Sequence, residues 1–375
     1  MKGETKNIEE EISESILIKD IKVNAYKIPT EAPESDGTIK WNSTTLVLVE
    51  INGGDKVGIG YTYANVAAAT VIHSSLKKIV EKSNCLDIPS LSQKMIAAIR
   101  NDGQCGIAMM AVSAVDNALW DLKAKIFDVP LCNLLGKANN KILLYGSGGF
   151  TSYSHAQTQK QFEHWASQGI THFKMKVGRE PGKDVERVKA ARKAIGDDAK
   201  LFVDANGAYT MKQALEKANQ FAEYNVIWFE EPLTSDNLPG LYYMKEHAPA
   251  GMNIAAGEYG YNLSYFKTML AAGAVDVLQA DATRCGGITN FLKAGALSEA
   301  GYIPFSSHCA PTQHLHAALS LPSFYISEYF FDHERIENML FDGVPPPVEG
   351  YLTPGLSRPG IGIEFKHKDA EKYKV

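Results

Sequence analysis

No apolar run in this 375-residue chain is long enough to span a bilayer, so no transmembrane helix is expected. Cysteine is scarce and scattered. Cys85, Cys105, Cys132, Cys285 and Cys309 are odd in number and include no CxxC pair, which argues against a disulfide framework and a zinc knuckle and fits a reducing cytoplasm. Positive charge is not in excess either: 38 Lys and Arg face 43 Asp and Glu, a formal charge of -5. Such a chain has no electrostatic footprint for nucleic acid or anionic lipid, and neither is expected as a partner. The opening MKGETKNIEEEISES lacks the basic stretch and apolar segment of a secretory signal.

What is present reads as globular, with 45% hydrophobic and 22% charged residues and length for two domains or one with an appendage. Residues 1–14 read as a flexible charged tail. ILIKDIKVNAYKI (16–28) alternates as a strand does, and TTLVLVEI (44–51) and KVGIGYTY (56–63) flank Asn52-Gly53-Gly54-Asp55, the chemistry of a hairpin turn. Between 66 and 126 the pattern turns helical, with Met109, Val112, Val115, Leu119 and Leu122 at helical spacing. A small sheet followed by helices suggests an α+β domain over 15–138. The polar segment TEAPESDGTIKWN (30–42) reads as a mobile loop.

From about residue 140 a short apolar run, a polar residue and a helix recur. KILLYGSGG, THFKMKVG, KLFVDANG, VIWFEEP, MNIAAGE, VDVLQADAT, GYIPFSSH and FYISEYF supply eight strand candidates. Strands alternating with helices imply parallel βαβ units, and eight in series imply an α/β fold of the (β/α)8-barrel type over 139–340. The Pro- and Gly-rich remainder, 341–375, is expected to wrap back over the first domain.

Barrels of this type build their sites at the strand ends, so the polar residues that close each run carry the information. They are Lys174 and Lys176, Asp204, Glu230 or its neighbour Glu231, Glu258, Asp281, His308 and Glu328. In FKMKVG the two lysines share one face of the strand, and ammonium groups aimed into a barrel need carboxylates opposite them. Three acidic strand ends follow, a set of oxygen ligands that suits a hard cation such as Mg²⁺ better than zinc. His308 and Asp281 close neighbouring strands, where the carboxylate can orient the imidazole as a general base. His314 and His316 leave open a rival zinc site of three histidines.

These residues resemble the enolase superfamily and, within it, the mandelate racemase branch. The resemblance covers nearly the whole chain, through KMK (174–176), DANGAY (204–209), WFEEP (228–232), AGE (256–258), DATRCGGIT (281–289), SSH (306–308) and SEY (327–329). It implies a capping domain over a modified TIM barrel, Mg²⁺ held by Asp204, Glu230 and Glu258, and two candidate bases, Lys176 and the His308–Asp281 pair. Lys174 would help neutralise a substrate carboxylate, and Glu328 would donate a hydrogen bond to it as an enediolate forms. A symmetric homo-oligomer is implied as well.

The reaction expected is removal of the proton next to a carboxylate, where cations must await the developing charge. With His308 rather than a third lysine on the later strands, the set looks unlike the cycloisomerases and dipeptide epimerases and looks racemase-like or dehydratase-like. The polar loop 30–42 favours a polyhydroxylated substrate, hence dehydration of a sugar acid to a 2-keto-3-deoxy acid. Racemisation or epimerisation of a 2-hydroxy acid is the alternative, and a non-catalytic binding protein on the same fold a third reading. Trp41, Tyr61, Tyr63 and Asn206 are candidate substrate contacts.

Overall fold

The computed structural model describes residues 16–375; the tail expected over 1–14 lies outside the described residues. The N-terminal sheet is antiparallel, with β1 (Ile18–Ser35), β2 (Lys40–Gly53) and β3 (Lys56–Tyr63) in that order. Gly54 and Asp55 join β2 to β3, both at positive φ (55° and 56°), the backbone that matches a two-residue turn to the strand twist. The helix Ile107–Ile126 packs directly on β3. A Cβ at Gly60 would fall 2.3 Å from the Ala118 nitrogen, so only glycine permits that approach.

This helix is buried on more than its apolar side. Met109, Val112, Val115, Leu119 and Leu122 pack in the core of the N-terminal domain. Ser113, Asp116 and Asn117 are equally buried and hydrogen-bond to the barrel. Asn117 Nδ2 donates to the Ala282 carbonyl (3.0 Å), and its Oδ1 accepts from the Ile288 N–H (3.0 Å). Asp116 accepts from the Thr289 N–H (3.0 Å) and hydroxyl (2.6 Å). The helix thereby fixes the segment that follows Asp281.

All eight apolar runs are strands of one parallel sheet: β4 (Ile142–Gly148), β5 (His172–Lys176), β6 (Lys200–Asp204), β7 (Val226–Glu230), β8 (Asn253–Ala256), β9 (Val277–Ala280), β10 (Phe305–Ser307) and β11 (Phe324–Phe330). A helix follows each, and β11 pairs with β4 to close the barrel. Phe173, Met175 and Val177 join the outer core, while Lys174 and Lys176 take the other face of β5. Tyr145, Phe202, Trp228, Ala255, Val277 and Ile326 form a separate apolar cluster inside, with Phe202 stacked on Trp228 at 4.9 Å. That plug leaves the C-terminal ends of the strands for polar groups.

Two expectations change in detail. The first strand does not stop near residue 28, and the segment 30–42 is not an irregular loop. β1 runs to Ser35 and β2 starts at Lys40, with one register shift between Pro29 and Glu34, so the segment is the arm of a hairpin. Its tip is folded by Asp36, whose Oδ1 accepts from the N–H groups of Thr38 (2.6 Å) and Ile39 (2.7 Å). The tip rests on the barrel mouth, where a Cβ at Gly37 would meet the Ala205 carbonyl at 2.3 Å. At the other end of the chain, the Val375 N–H donates to the Ala25 carbonyl (3.0 Å) and the Ile361 N–H to Asp121 Oδ1 (2.7 Å). No described helix is long and apolar enough to cross a membrane.

Candidate active site

Strand register sets Lys176, Asp204 and Glu230 side by side across β5, β6 and β7. Glu258 reaches the same layer from just beyond β8, after Gly257 at φ 140°, where a Cβ would lie 2.0 Å from the Gln279 carbonyl. Asp204, Glu230 and Glu258 are buried, each with an oxygen within 4.8 Å of the others'. Of the Glu230-Glu231 pair it is Glu230 that joins this triad. Its Oε2 is oriented by Trp228 Nε1 and Gln279 Nε2, both at 3.0 Å.

The surroundings fit a bound dication. Glu258 Oε2, Glu231 Oε1 and Asn206 Oδ1 are buried oxygens with no protein partner, a costly arrangement unless something else satisfies them. Glu231, turned through a positive φ of 37°, has its carboxyl pushed well above the usual range, first by burial and then by Glu258, Asp204 and Glu230. So many carboxylates in one dry layer call for positive charge, and a purely oxygen set suits a hard cation.

Two lysines supply part of that charge. Lys174 is fully buried, with Nζ 2.6 Å from Glu230 Oε1, 2.8 Å from Glu328 Oε1 and 3.7 Å from Asp204 Oδ2. Burial alone would strip its proton, but these carboxylates hold its pKa well above the ordinary lysine value. Lys176 Nζ lies 2.5 Å from Asp204 Oδ2, and its pKa is likewise raised, with Asp204 outweighing burial. Both are ammonium groups in this arrangement.

Across the site, His308 Nδ1 lies 2.8 Å from Asp281 Oδ2. A carboxylate cannot donate, so Nδ1 carries the proton and Nε2 keeps its lone pair. Burial works against ionised Asp281, yet the His308 hydrogen bond holds its carboxyl below the usual range. Nε2 lies 3.5 Å from Glu258 Oε2 and 3.2 Å from Cys309 Sγ. Glu328, expected as a donor, is placed as an acceptor. Its oxygens take hydrogen bonds from Ser147 Oγ (2.6 Å) and the Cys309 N–H (2.8 Å) besides Lys174. Burial works against its charge, but Lys174, with a smaller pull from Lys176, keeps it ionised.

A cavity of about 480 Å³ opens over these groups between the barrel mouth and the hairpin arm. Lys176, Glu258, His308, Asn206 and Trp41 line it. Trp41 is held edge-on to Phe150 at 5.6 Å, and its Nε1 donates to Glu34 Oε2 at 2.8 Å. Tyr61 does not reach the cavity. It is fully buried below, with its hydroxyl committed to Glu337 Oε1 at 2.6 Å. Tyr63, two residues along the same face, lines the cavity instead and stacks on His333 at 3.5 Å. The three-histidine zinc reading fails too. His314 uses both ring nitrogens on the backbone, at Ala282 and Ala310, and His316 accepts from the Cys132 N–H.

Sequence reading passed over several cavity residues, among them Arg284 and His333. Arg284 follows Asp281 by three positions and bridges the metal and base sides, 3.3 Å from Glu258 Oε1 and 3.6 Å from Asp281 Oδ2. Its place in DATR was the available signal. His333 accepts from the Ala310 N–H at 3.3 Å through Nδ1, which leaves Nε2 protonated on a ring that burial keeps neutral. Lying beyond the last strand end, it had no signal.

A capped, closed barrel with an acidic triad and flanking lysines is the architecture of the enolase superfamily. Residues 157–370 match the family "Enolase C-terminal domain-like" and residues 21–136 match the mandelate racemase/muconate lactonizing enzyme N-terminal domain, and the chain belongs to that group. It is 30% identical over 334 residues to the L-talarate/galactarate dehydratase of Salmonella typhimurium, covering 86% of this chain and 82% of that protein. A structure of a mutant L-talarate/galactarate dehydratase liganded with Mg and L-glucarate superposes with a TM-score of 0.88 at 28% identity, covering 96% and 92% of the two chains. The chain is also 32% identical over 313 residues to a 3,6-anhydro-α-L-galactonate cycloisomerase of Streptomyces coelicolor, covering 82% of this chain and 86% of that one. The crystal structure of a mandelate racemase/muconate lactonizing enzyme-like protein from Rubrobacter xylanophilus superposes with a TM-score of 0.94 at 48% identity, covering 96% and 100%. The expectation that the chain looks unlike the cycloisomerases therefore does not hold for all of them, since it is similar to one.

Proposed function

We propose that this protein is a Mg²⁺-dependent acid-sugar dehydratase, in which His308 removes the proton next to the substrate carboxylate and the β-hydroxyl leaves as water. The observation that carries this reading is the His308 tautomer: Asp281 fixes the proton on Nδ1 and leaves Nε2 basic at a cavity wall. Asp204, Glu230 and Glu258 would hold the magnesium ion, which when bound supplies Lewis-acid stabilisation of the charge that develops on the carboxylate.

The chain's own residues account for the rest. Lys174 and Lys176 place two ammonium charges beside the site, preorganised by Glu230, Glu328 and Asp204 before any substrate arrives. When His308 takes the α-proton, the imidazolium is stabilised by Asp281 at 2.8 Å and Glu258 at 3.5 Å. The electron pair left on the α-carbon forms the enediolate. Its collapse expels the β-hydroxyl, which leaves with a proton from Lys176 or from the imidazolium, and the resulting enol tautomerises to a 2-keto-3-deoxy acid. Glu328 acts as an anchor for Lys174 and for the Cys309 backbone rather than as a donor. Asn206, Arg284 and the His333–Tyr63 stack give the cavity the polar wall that a polyhydroxylated chain requires.

Racemisation is the second reading, because Lys176 and His308 both line the cavity and could exchange one proton at the α-carbon. A panel of mono- and diacid sugars with Mg²⁺, read by a carbonyl-specific reagent, separates the two. Keto acid formation that disappears in His308→Ala supports the dehydratase. Absence of keto acid from every sugar, with α-deuterium uptake by a 2-hydroxy acid in D₂O, supports the racemase.

A further inference from the structure

The cysteine next to the base takes no part in the reaction above, yet its sulfur lies close to the nitrogen that performs it. Cys309 Sγ is 3.2 Å from His308 Nε2, and Glu328 Oε2 is 3.9 Å from that nitrogen on another side. Donor atoms of these three residues all lie within 4.8 Å of one another. Glu258 belongs to the acidic triad, and its Oε2 borders this cluster at 3.5 Å from the same nitrogen.

We propose that His308, Cys309 and Glu328 form a second metal site, selective for thiophilic divalent cations such as zinc, whose occupation takes the lone pair of the base. Its inhibitory consequence rests on the reading of His308 as the base; the site itself does not.

The donor chemistry separates this site from the acidic triad. The triad offers oxygen alone, whereas thiolate and imidazole favour Zn²⁺ over Mg²⁺. The size fits as well. A tetrahedral zinc with bonds of about 2.0–2.3 Å has ligand-to-ligand edges of roughly 3.3–3.6 Å. The spacings of 3.2 and 3.9 Å from His308 Nε2 to Cys309 Sγ and Glu328 Oε2 lie within a few tenths of an ångström of those edges, and a water would complete the four ligands. Asp281 already orients the ring from behind, the usual support for a metal-bound histidine.

Charge balances on binding. The thiol loses its proton to solvent as the metal–sulfur bond forms, so a thiolate and one carboxylate neutralise the dication. Lys174 holds the other Glu328 oxygen at 2.8 Å and keeps that carboxylate in place. His308 and Cys309 line the same cavity as the proposed substrate site, so metal and substrate exclude each other.

Co²⁺ is the spectroscopic probe, added to the full-length protein saturated with Mg²⁺. The expected result is a thiolate-to-cobalt charge-transfer band with tetrahedral ligand-field absorption, bleached by Zn²⁺ and absent in Cys309→Ser. The band should persist in Asp204→Asn, which disables the magnesium triad alone, so this arm is independent of whether the protein is a dehydratase. Zn²⁺ should inhibit competitively with substrate, and Cys309→Ser should raise the inhibition constant about 100-fold while keeping activity in Mg²⁺ alone. No sulfur band, or a band unchanged in Cys309→Ser, overturns the site. Zinc inhibition of equal potency in wild type and Cys309→Ser places the metal in the acidic triad and also overturns it.

Discussion

Asp281 Oδ2 lies 2.8 Å from His308 Nδ1, and this contact decides which ring nitrogen can act as a base. Asp281→Asn keeps the shape but presents an amide N–H, which favours the opposite tautomer and places the proton on Nε2. Turnover should fall by about 10²–10⁴-fold, the range a positioned general base contributes, with little change in KM. Steady-state kinetics on any sugar that yields keto acid checks this, and an unchanged kcat removes His308 as the base.

The hairpin tip provides a prediction about access. A Cβ at Gly37 would sit 2.3 Å from the Ala205 carbonyl and 2.7 Å from that of Val177, both backbone atoms that cannot swing aside. Gly37→Ala should therefore lift the arm from the barrel mouth, raising KM several-fold while the thermal midpoint stays within a few degrees. A Tm loss as large as that of a core mutation would show that the arm belongs to the folding unit rather than to the lid of the cavity.

Much of this architecture was legible because it is written in short periods. Eight apolar runs became eight strands, and the polar residue closing each run lies at the barrel mouth, since strand alternation and parallel register leave little freedom. The chemistry of Asn52-Gly53-Gly54-Asp55 sufficed for its turn. Tyr61 was misplaced because two aromatics two residues apart share a face, and sequence cannot say how deep along that face the cavity reaches. The arm at 30–42 was misread because its polar residues hide a strand pairing, and the seating of its tip on Ala205 and Val177 involves residues far away in the chain. For the same reason, the polar face of the helix Ile107–Ile126 gave no sign that it docks on the barrel.

Asp116, on that docking face, makes stability depend on pH. Burial pushes its carboxyl from 3.8 up to about 7, against the pull of the Thr289 hydrogen bonds. A raised value means that the folded protein keeps a proton the unfolded chain has released. The stabilisation is complete below about pH 4 and is lost as pH rises to about 7, by roughly 4 kcal/mol at about 1.4 kcal/mol per pH unit. Asp116→Asn cannot ionise, so its stability relative to wild type should improve between about pH 4 and 7. Denaturant midpoints of both proteins across that range supply the test, and a constant difference contradicts it.

Proton abstraction can be isolated from everything that follows it by using a 2-hydroxy acid without a hydroxyl on the β-carbon, which cannot eliminate water. In D₂O with Mg²⁺, NMR should show deuterium entering the α-carbon with wild-type protein, and loss of that exchange in His308→Gln and in Asp204→Asn. Exchange at the wild-type rate in His308→Gln would contradict the account, because the proton would then be leaving to a group other than the imidazole that Asp281 holds.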